Sequence, residues 1–420
     1  MPHQSGTVFL LNFTVPGTVK DKLTKEWVSK MRFVKKGAFI TMMLLVAMVL
    51  SACNQPTPAA KNVETKKDVV LKIGGSGPLT GAAASYGTSV KQGAQVAVEE
   101  INTNGGVQGM KLELLFEDDA ADPALAVSAY ARLVDKGMHV SMGTTTSGAG
   151  MAMTEEVNKD GFLMVTPSAS QKEITRFDNC FRVCFTDPDQ GTYAADFIAD
   201  HEVAKKVAVL YDKSSDYSTG IRDSFVEQAA QRGLEVVSEQ AFTSQSNTDF
   251  AVQIQAIANS GAELVFLPIY YQEAAMILKQ GSTLDVTFFG VDGMDGVITQ
   301  LGAEYADLAE GVMLLTPFAA DSTDEKTVHF VKLYQTAYQS TPDQFAADAY
   351  DAVYTITAAV KASGVKSLDE KDFNAKLVAA MTEITVEGVT GTMTWSKEGE
   401  PAKSATAVVI ENGKYVAYKK

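Results

Sequence analysis

From Val69 onward, short runs of β-branched and aliphatic residues alternate with longer stretches whose apolar positions recur every three or four residues. A short apolar run or a period of two predicts a strand, and a period of 3.6 predicts a helix. VVLKIGG (69–75) therefore reads as a strand and TSVKQGAQVAVEEIN (88–102) as a helix closed by Asn104-Gly105-Gly106. Then come a strand KLELLFED (111–118), a helix opened by Pro123, a strand HVSMG (139–143), a helix through Glu156 and a strand FLMV (162–165). Pro at a helix start and Gly just past a helix end are the expected punctuation. After 181–185 a second series begins, with strands at 206–212, 234–242, 263–268 and 286–290 and helices around 217–232, 248–260 and 271–281. Beyond Asp321 the rhythm changes to two long helices, 323–339 and 344–363, and then to strands near 391–396 and 404–418. Strand, helix, strand with short loops predicts α/β architecture, a parallel sheet flanked by helices. Two such series predict two α/β units, each completed by returning chain.

The chain before Val69 follows another pattern. The apolar run AFITMMLLVAMVL (38–50) is preceded by the basic MRFVKKG and followed by small residues, the order of a secretory signal. The run is shorter than the roughly 20 apolar residues that cross a bilayer. Leu50-Ser51-Ala52-Cys53 resembles the lipobox of bacterial lipoproteins. That resemblance makes residues 1–52 the signal and Cys53 the lipidated mature N-terminus; residues 1–30 add nothing a signal requires, which favours Met31 over Met1 as the natural start. Residues 53–68, polar and containing Pro, read as a tether.

Charge sharpens this division. The 420 residues carry 36 Lys and Arg against 51 Asp and Glu, a formal net charge of −15. Residues 1–52 hold seven basic and two acidic side chains, +5, so the remainder stands at −15 − 5 = −20. Such a surface repels phosphate backbones and disfavours nucleic acid as a partner. The only membrane contact expected is through the anchor.

Enzymatic signatures are sparse. H-E-x-x-H, G-x-S-x-G and C-x-x-C are absent, and the histidines beyond the signal, His139, His201 and His329, lie far apart. No metal or cofactor is expected. GGSGPLTG (74–81) lacks the G-K-[ST] ending of a phosphate loop, so it reads as a tight glycine turn. Glu117-Asp118-Asp119 with Asp122 lacks EF-hand spacing, leaving Asp122 as a helix cap. Cys180 and Cys184 would lie roughly 13 Å apart on an extended strand, which favours buried free thiols.

The candidate site lies in the loops after strands, where ligands bind in open α/β sheets. GTTTSGAG (143–150) and TPSAS (166–170) follow adjacent strands and are rich in hydroxyls. Ser147, Ser168 and Ser170 beside free helix N–H groups could cradle a carboxylate without a cation. Helix capping and turn formation explain any one of them equally well. Tyr86, Tyr217, Tyr270, Tyr271 and Tyr350 could wall a pocket or pack in the core. Asp292, in FFGVDGMDG, could meet an ammonium or simply form a turn.

From Val69 to the C-terminus the order of KIGGSGPLTGAAASYG, GAQVAVEEINTNGGVQG, ELLFEDDAADP, LMVTPSAS, FRVCFTDPDQG, FFGVDG and AADAYDAV resembles the type I periplasmic solute-binding proteins of ABC importers, in their branched-chain amino-acid branch. The resemblance implies two doubly wound parallel-sheet lobes joined by three crossing segments, near 183–187, 316–319 and 393–399. One lobe would take 69–186 with 318–395, the other 187–317 with 396–420. It also implies an amino acid buried between the lobes by hinge closure. Ser147 and Ser170, with the backbone at Ser168 and Ala169, resemble the carboxylate-binding positions, Asp292 the ammonium position, and Tyr86, Tyr217 and Tyr270 the aromatic wall. Asp292 is shorter than the Glu often found there, Gly148-Ala149 replaces a hydroxyl-rich run, and Ser170 replaces Thr. The expected activity is an extracytoplasmic, monomeric receptor that delivers its ligand to an ABC permease and its ATPase, with no chemistry of its own. The alternatives are a receptor for an amide or urea-like solute, a ligand-sensing domain for a membrane signalling protein, or a dinucleotide-binding enzyme.

Overall fold

A computed structural model describes residues 69–403 and 405–418; the signal, the tether and Cys53 lie outside the described residues. Two sheets carry the fold. The first contains β1 (Val70–Gly77), β2 (Lys111–Asp118), β3 (Val140–Gly143), β4 (Met164–Thr166) and β5 (Cys180–Arg182), in the order β2-β1-β3-β4-β5, all pairs parallel. The second contains β6 (Lys206–Asp212), β7 (Glu235–Phe242), β8 (Leu264–Leu267), β9 (Thr287–Gly290) and β10 (Met313–Thr316). These run in the same relative order, β7-β6-β8-β9-β10. The order reverses between β1 and β3 and again between β6 and β8, and such switch points are where open α/β sheets hold ligands.

Helices cover both faces of each sheet. Around the first sheet, α1 (Ala84–Thr103) packs with α10 (Gln344–Ser363) on one side, and α2 (Pro123–Asp135) with α3 (Ser147–Asp160) on the other. Around the second, α4 (Asp187–Asp200) packs on α5 (Asp216–Arg232), opposite α6 (Ala251–Ala258), α7 (Tyr271–Gln280) and α8 (Val297–Leu301). This double cover explains why β8 is the unbroken apolar run LVFL, buried throughout. Phe225 on α5 stacks on Phe266 of β8 with centroids 4.0 Å apart; a fully buried side chain of this size contributes about 1.5–3 kcal/mol.

Local chemistry fixes the helix ends. Asp122 accepts from the N–H groups of Ala124 and Leu125 ahead of Pro123, and Thr186 with Asp189 forms a reciprocal capping box at α4. The acidic run at β2 is spent on structure: Asp119 accepts from Ser76, Asp118 from Thr80, and Glu117 pairs with Arg132. Among the described residues no group of three or more His, Cys, Asp or Glu could hold a metal ion, and no helix is long and apolar enough to cross a membrane.

The glycine run divides: it continues β1 to Gly77, where a Cβ would strike the Thr145 hydroxyl, and the expected turn begins only after Pro78, with Gly81 at φ 84°. These glycines permit close packing against the neighbouring strand and open no phosphate cradle. β10 is also unanticipated. It is a four-residue buried run next to β9 on one side and to β13 (Thr406–Glu411) on the other, and it leads into a loop over 317–324 where the strand–helix rhythm would place a helix. The C-terminal segment predicted at 404–418 is a hairpin of β13 and β14 (Lys414–Ala417), turned by Asn412 and Gly413 at φ 52° and 68°. It adds two antiparallel strands to the second sheet. Helices α9 (Glu325–Tyr338) and α11 (Phe373–Met381) and the hairpin β11 (Thr385–Gly388) and β12 (Gly391–Thr394) complete the returning chain.

Candidate functional site

The loops at the carboxyl ends of β1, β3 and β4 meet those after β6, β8 and β9 around one small cavity of about 10 Å³. The first lobe contributes Tyr86, Thr145, Thr146, Ser147, Ser168 and Ser170 to its lining, the second Tyr217, Tyr270, Asp292 and Gly293, and the start of α10 adds Phe345. None of these is Lys or Arg.

The two lobes are tied across this space. The Tyr86 hydroxyl donates to the Gly293 carbonyl and accepts from the Tyr271 N–H at 3.1 Å. The Tyr271 hydroxyl donates to the Ala82 carbonyl at 2.7 Å, and Gln344 Nε2 donates to the Asp292 carbonyl at 2.7 Å. The largest apolar cluster crosses the same boundary through Tyr86, Tyr271 and Phe345. Tyr86 stands edge-on to Tyr270 and Tyr271, with centroids 5.3 and 4.8 Å away, an arrangement that aromatic quadrupoles favour.

One end of the space is acidic. Asp292 is 5 % exposed, and its Oδ1 accepts from the Tyr217 hydroxyl at 2.5 Å. Burial raises its carboxyl to about 6, against the pull of the Tyr217 hydrogen bond. Outside the lining, Asp187 at the start of α4 is also buried, behind Ser170, and neither of its oxygens has a hydrogen-bond partner of ordinary geometry among the described residues. Burial pushes its carboxyl well up; the Ser170 hydroxyl beside it opposes the rise without closing a bond of ordinary geometry, and Asp292 adds to it. The other end is neutral and rich in donors. Ser147 begins α3, whose first N–H groups lack intrahelical acceptors. Its Oγ accepts from the N–H groups of Ser170 and Gln171 at 3.2 Å each, which leaves its own proton to donate outward. An anion at this end meets helix amides and a hydroxyl, and a cation at the other meets the Asp292 carboxylate: the arrangement of a zwitterion site.

Residues 70–414 match the periplasmic binding protein family. The chain belongs to that family. It is 31% identical over 334 residues to a Leu/Ile/Val-binding protein homolog of Brucella melitensis, covering 79% of this chain and 88% of the relative. It is 30% identical over 370 residues to the leucine-, isoleucine-, valine-, threonine- and alanine-binding protein of Pseudomonas aeruginosa, covering 87% and 94%. Among solved structures it is similar to the substrate-binding protein LivJ of Streptococcus pneumoniae in complex with isoleucine, with TM-score 0.75, 30% identity and 83% and 98% coverage. A solute-binding protein from R. palustris in complex with benzoate has the same fold, with TM-score 0.74 at 24% identity and 83% and 95% coverage. The fold of this periplasmic binding protein is therefore the two-lobed type I arrangement, and the family is one of binding proteins.

Of the positions singled out from sequence, Tyr86, Ser147, Ser168, Ser170, Tyr217, Tyr270 and Asp292 converge on the enclosed space. Ala169 does not line it. Its methyl group packs with Met153, Met164 and Ile174, and Arg182 Nη1 donates to its carbonyl at 3.2 Å. Alternation along the loop turns its neighbours inward and Ala169 back into the core. Tyr350 stands elsewhere, against Phe330 with its hydroxyl on Glu100. Thr145, Thr146, Gly293 and Phe345 also line the space without being singled out from sequence. The hydroxyl triplet before Ser147 was a readable signal for the two threonines; Phe345 arrives from a helix far along the chain and has none. Cys180 and Cys184 are free and buried. Burial raises Cys180 to about 12 and Cys184 well above the ordinary thiol range.

Proposed function

We propose that this periplasmic binding protein is an extracytoplasmic receptor that encloses a small amino acid between its lobes and passes it unchanged to an ABC permease. The reading rests on one observation: Asp292 and the amide and hydroxyl cradle at Ser147 and Ser170 face a single enclosed space with no basic side chain in its lining. The ligand's ammonium sits at Asp292, its carboxylate at the N-terminus of α3, and its side chain among the aromatic rings. The names of the relatives in Brucella melitensis and Pseudomonas aeruginosa support an amino acid as the ligand class. A ligand touching both lobes favours their closed arrangement, which gives a permease a state to recognise. The lipobox-like sequence at Cys53 supports anchoring to a membrane surface by acyl chains. The test is a thermal-shift and calorimetric screen against amino acids, simple amides and urea. At a hundredfold excess over Kd an amino acid adds about 2.7 kcal/mol of stability. Stabilisation by amides or urea and by no amino acid refutes the reading.

A further inference from the structure

The hydroxyls of the two loops after β3 and β4 are nearly all committed. Thr144 Oγ1 donates to the Thr146 carbonyl at 3.1 Å, Thr145 Oγ1 to the Ser76 carbonyl at 3.3 Å, and Thr166 Oγ1 to the Thr144 carbonyl at 2.9 Å. Ser168 Oγ donates to the Thr145 carbonyl at 2.8 Å. Thr146 differs. Its Oγ1 is buried, has no hydrogen-bond partner among the described residues, and belongs to a residue that lines the enclosed space. A buried hydroxyl left without a partner is unfavourable and uncommon.

Thr146 is the N-cap of α3, with φ −106° and ψ 150°, the extended conformation from which a Thr hydroxyl ordinarily accepts from its own helix. Thr186 and Ser215 do this at α4 and α5. The Thr146 side chain makes no such bond. The charged ends of an amino acid are already provided for, by Asp292 and by the Ser147 hydroxyl with the α3 amides. The hydroxyls of Tyr86 and Tyr217 are engaged with Gly293 and Asp292, so these residues present ring faces to the ligand. Among the lining residues described, Thr146 carries the buried side-chain oxygen without a partner, which makes it a hydrogen-bonding group for the ligand's third substituent.

Resting on the amino-acid reading above, the geometry points to Thr146 as a specificity-determining residue: its hydroxyl pairs with a hydroxyl or carboxamide on the ligand's side chain, so the site favours small polar amino acids over branched aliphatic ones. Threonine and valine differ only by a hydroxyl in place of a methyl, and so do Thr146 and the residue placed by Thr146→Val. A square of two ligands and two proteins therefore isolates the contact. Titration calorimetry of the full chain is expected to give threonine at least tenfold tighter binding than valine. Thr146→Val is expected to abolish or reverse that preference, and Thr146→Ser to restore it. Valine bound as tightly as threonine by the unaltered protein overturns the proposal, whatever the variant's folding. Equal loss of both ligands in Thr146→Val also overturns it, because it assigns the hydroxyl to the carboxylate or to structure. Absence of binding by every amino acid overturns the amino-acid reading itself and this proposal with it, a result distinct from binding without preference.

Discussion

Asp292 links ligand affinity to pH in a calculable way. Its carboxyl stands at about 6 in the ligand-free protein, raised from 3.8 by burial. An ammonium pairs with the ionised form only. At pH 8 nearly every Asp292 is ionised, while at pH 5 only about one in eleven is. Apparent affinity therefore falls roughly tenfold from pH 8 to pH 5, about 1.4 kcal/mol. Asp292→Asn removes the charge and keeps the shape. It should weaken binding by about 2–5 kcal/mol, the usual effect of removing one partner of a buried charge pair, and flatten the pH profile. Stability moves the other way. The folded value lies about two units above the unfolded one, so ionising Asp292 costs the ligand-free fold about 3 kcal/mol. Because the unfolded chain releases its proton first, the loss accumulates as pH rises from about 4 to 6 and is complete above that range. Asp292→Asn should therefore raise the melting temperature at pH 8 and leave it unchanged near pH 3. Calorimetric titration of both proteins across this range checks affinity, and scanning calorimetry checks stability; comparing the two proteins at each pH subtracts the other buried carboxyls. Affinity that is flat or rising from pH 8 to pH 5 in the unaltered protein refutes the reasoning.

Other residues give independent tests. Lys403 Nζ, on a side chain 1 % exposed, donates to Asp348 Oδ1 at 2.8 Å, to the Val183 carbonyl at 3.0 Å and to Thr390 Oγ1 at 2.8 Å. Lys403→Met leaves Asp348 buried without its cation and should cost about 3–5 kcal/mol in denaturant unfolding; adding Asp348→Asn should recover part of it. Tyr86→Phe removes a donor to Gly293 and an acceptor for the Tyr271 N–H. At about 0.5–1.5 kcal/mol for each bond, ligand affinity should fall roughly tenfold, and small-angle scattering should show a more open ligand-free molecule. Cys180 and Cys184 are buried with their thiols held protonated, so a thiol reagent should label them only in denaturant, and reduction should leave the protein's mass unchanged.

The legibility of the fold followed the length and company of each element. Helices such as 344–363 and strands such as 206–212 show their periods over several residues, and structure and expectation agree there within a residue. β10 is as short as β3, β8 and β9 but is followed by a loop over 317–324 and not by a helix that would complete a strand–helix unit, and the hairpin at 385–394 gains its order from the returning chain around it. The site divides along the same line. Residues in strand-end loops could be named because the topology of an α/β sheet sends those loops to one edge. Phe345 reaches the site from the start of α10, far along the chain from the strand-end loops, and no local pattern marks such a position. Ala169 shows the converse: a residue inside the correct loop whose side chain turns into the core.

The charge of the chain and the charge of the site follow different rules. A formal net charge of −15 disfavours an anion at long range, yet the proposed carboxylate end needs no cation, because α3 offers unsatisfied N–H groups and the Ser147 hydroxyl keeps its proton to donate. Those dipoles are fixed by the fold and act over the space of one turn, where solvent screening is weak. The acidic end works by the opposite device, a carboxylate stripped of water whose own ionisation is unfavourable until a cation arrives. Each half of the site is thus unsatisfied alone, one for lack of acceptors and the other for lack of a positive charge. A small zwitterion completes both at once, and because the halves belong to different lobes, completing both draws the lobes together.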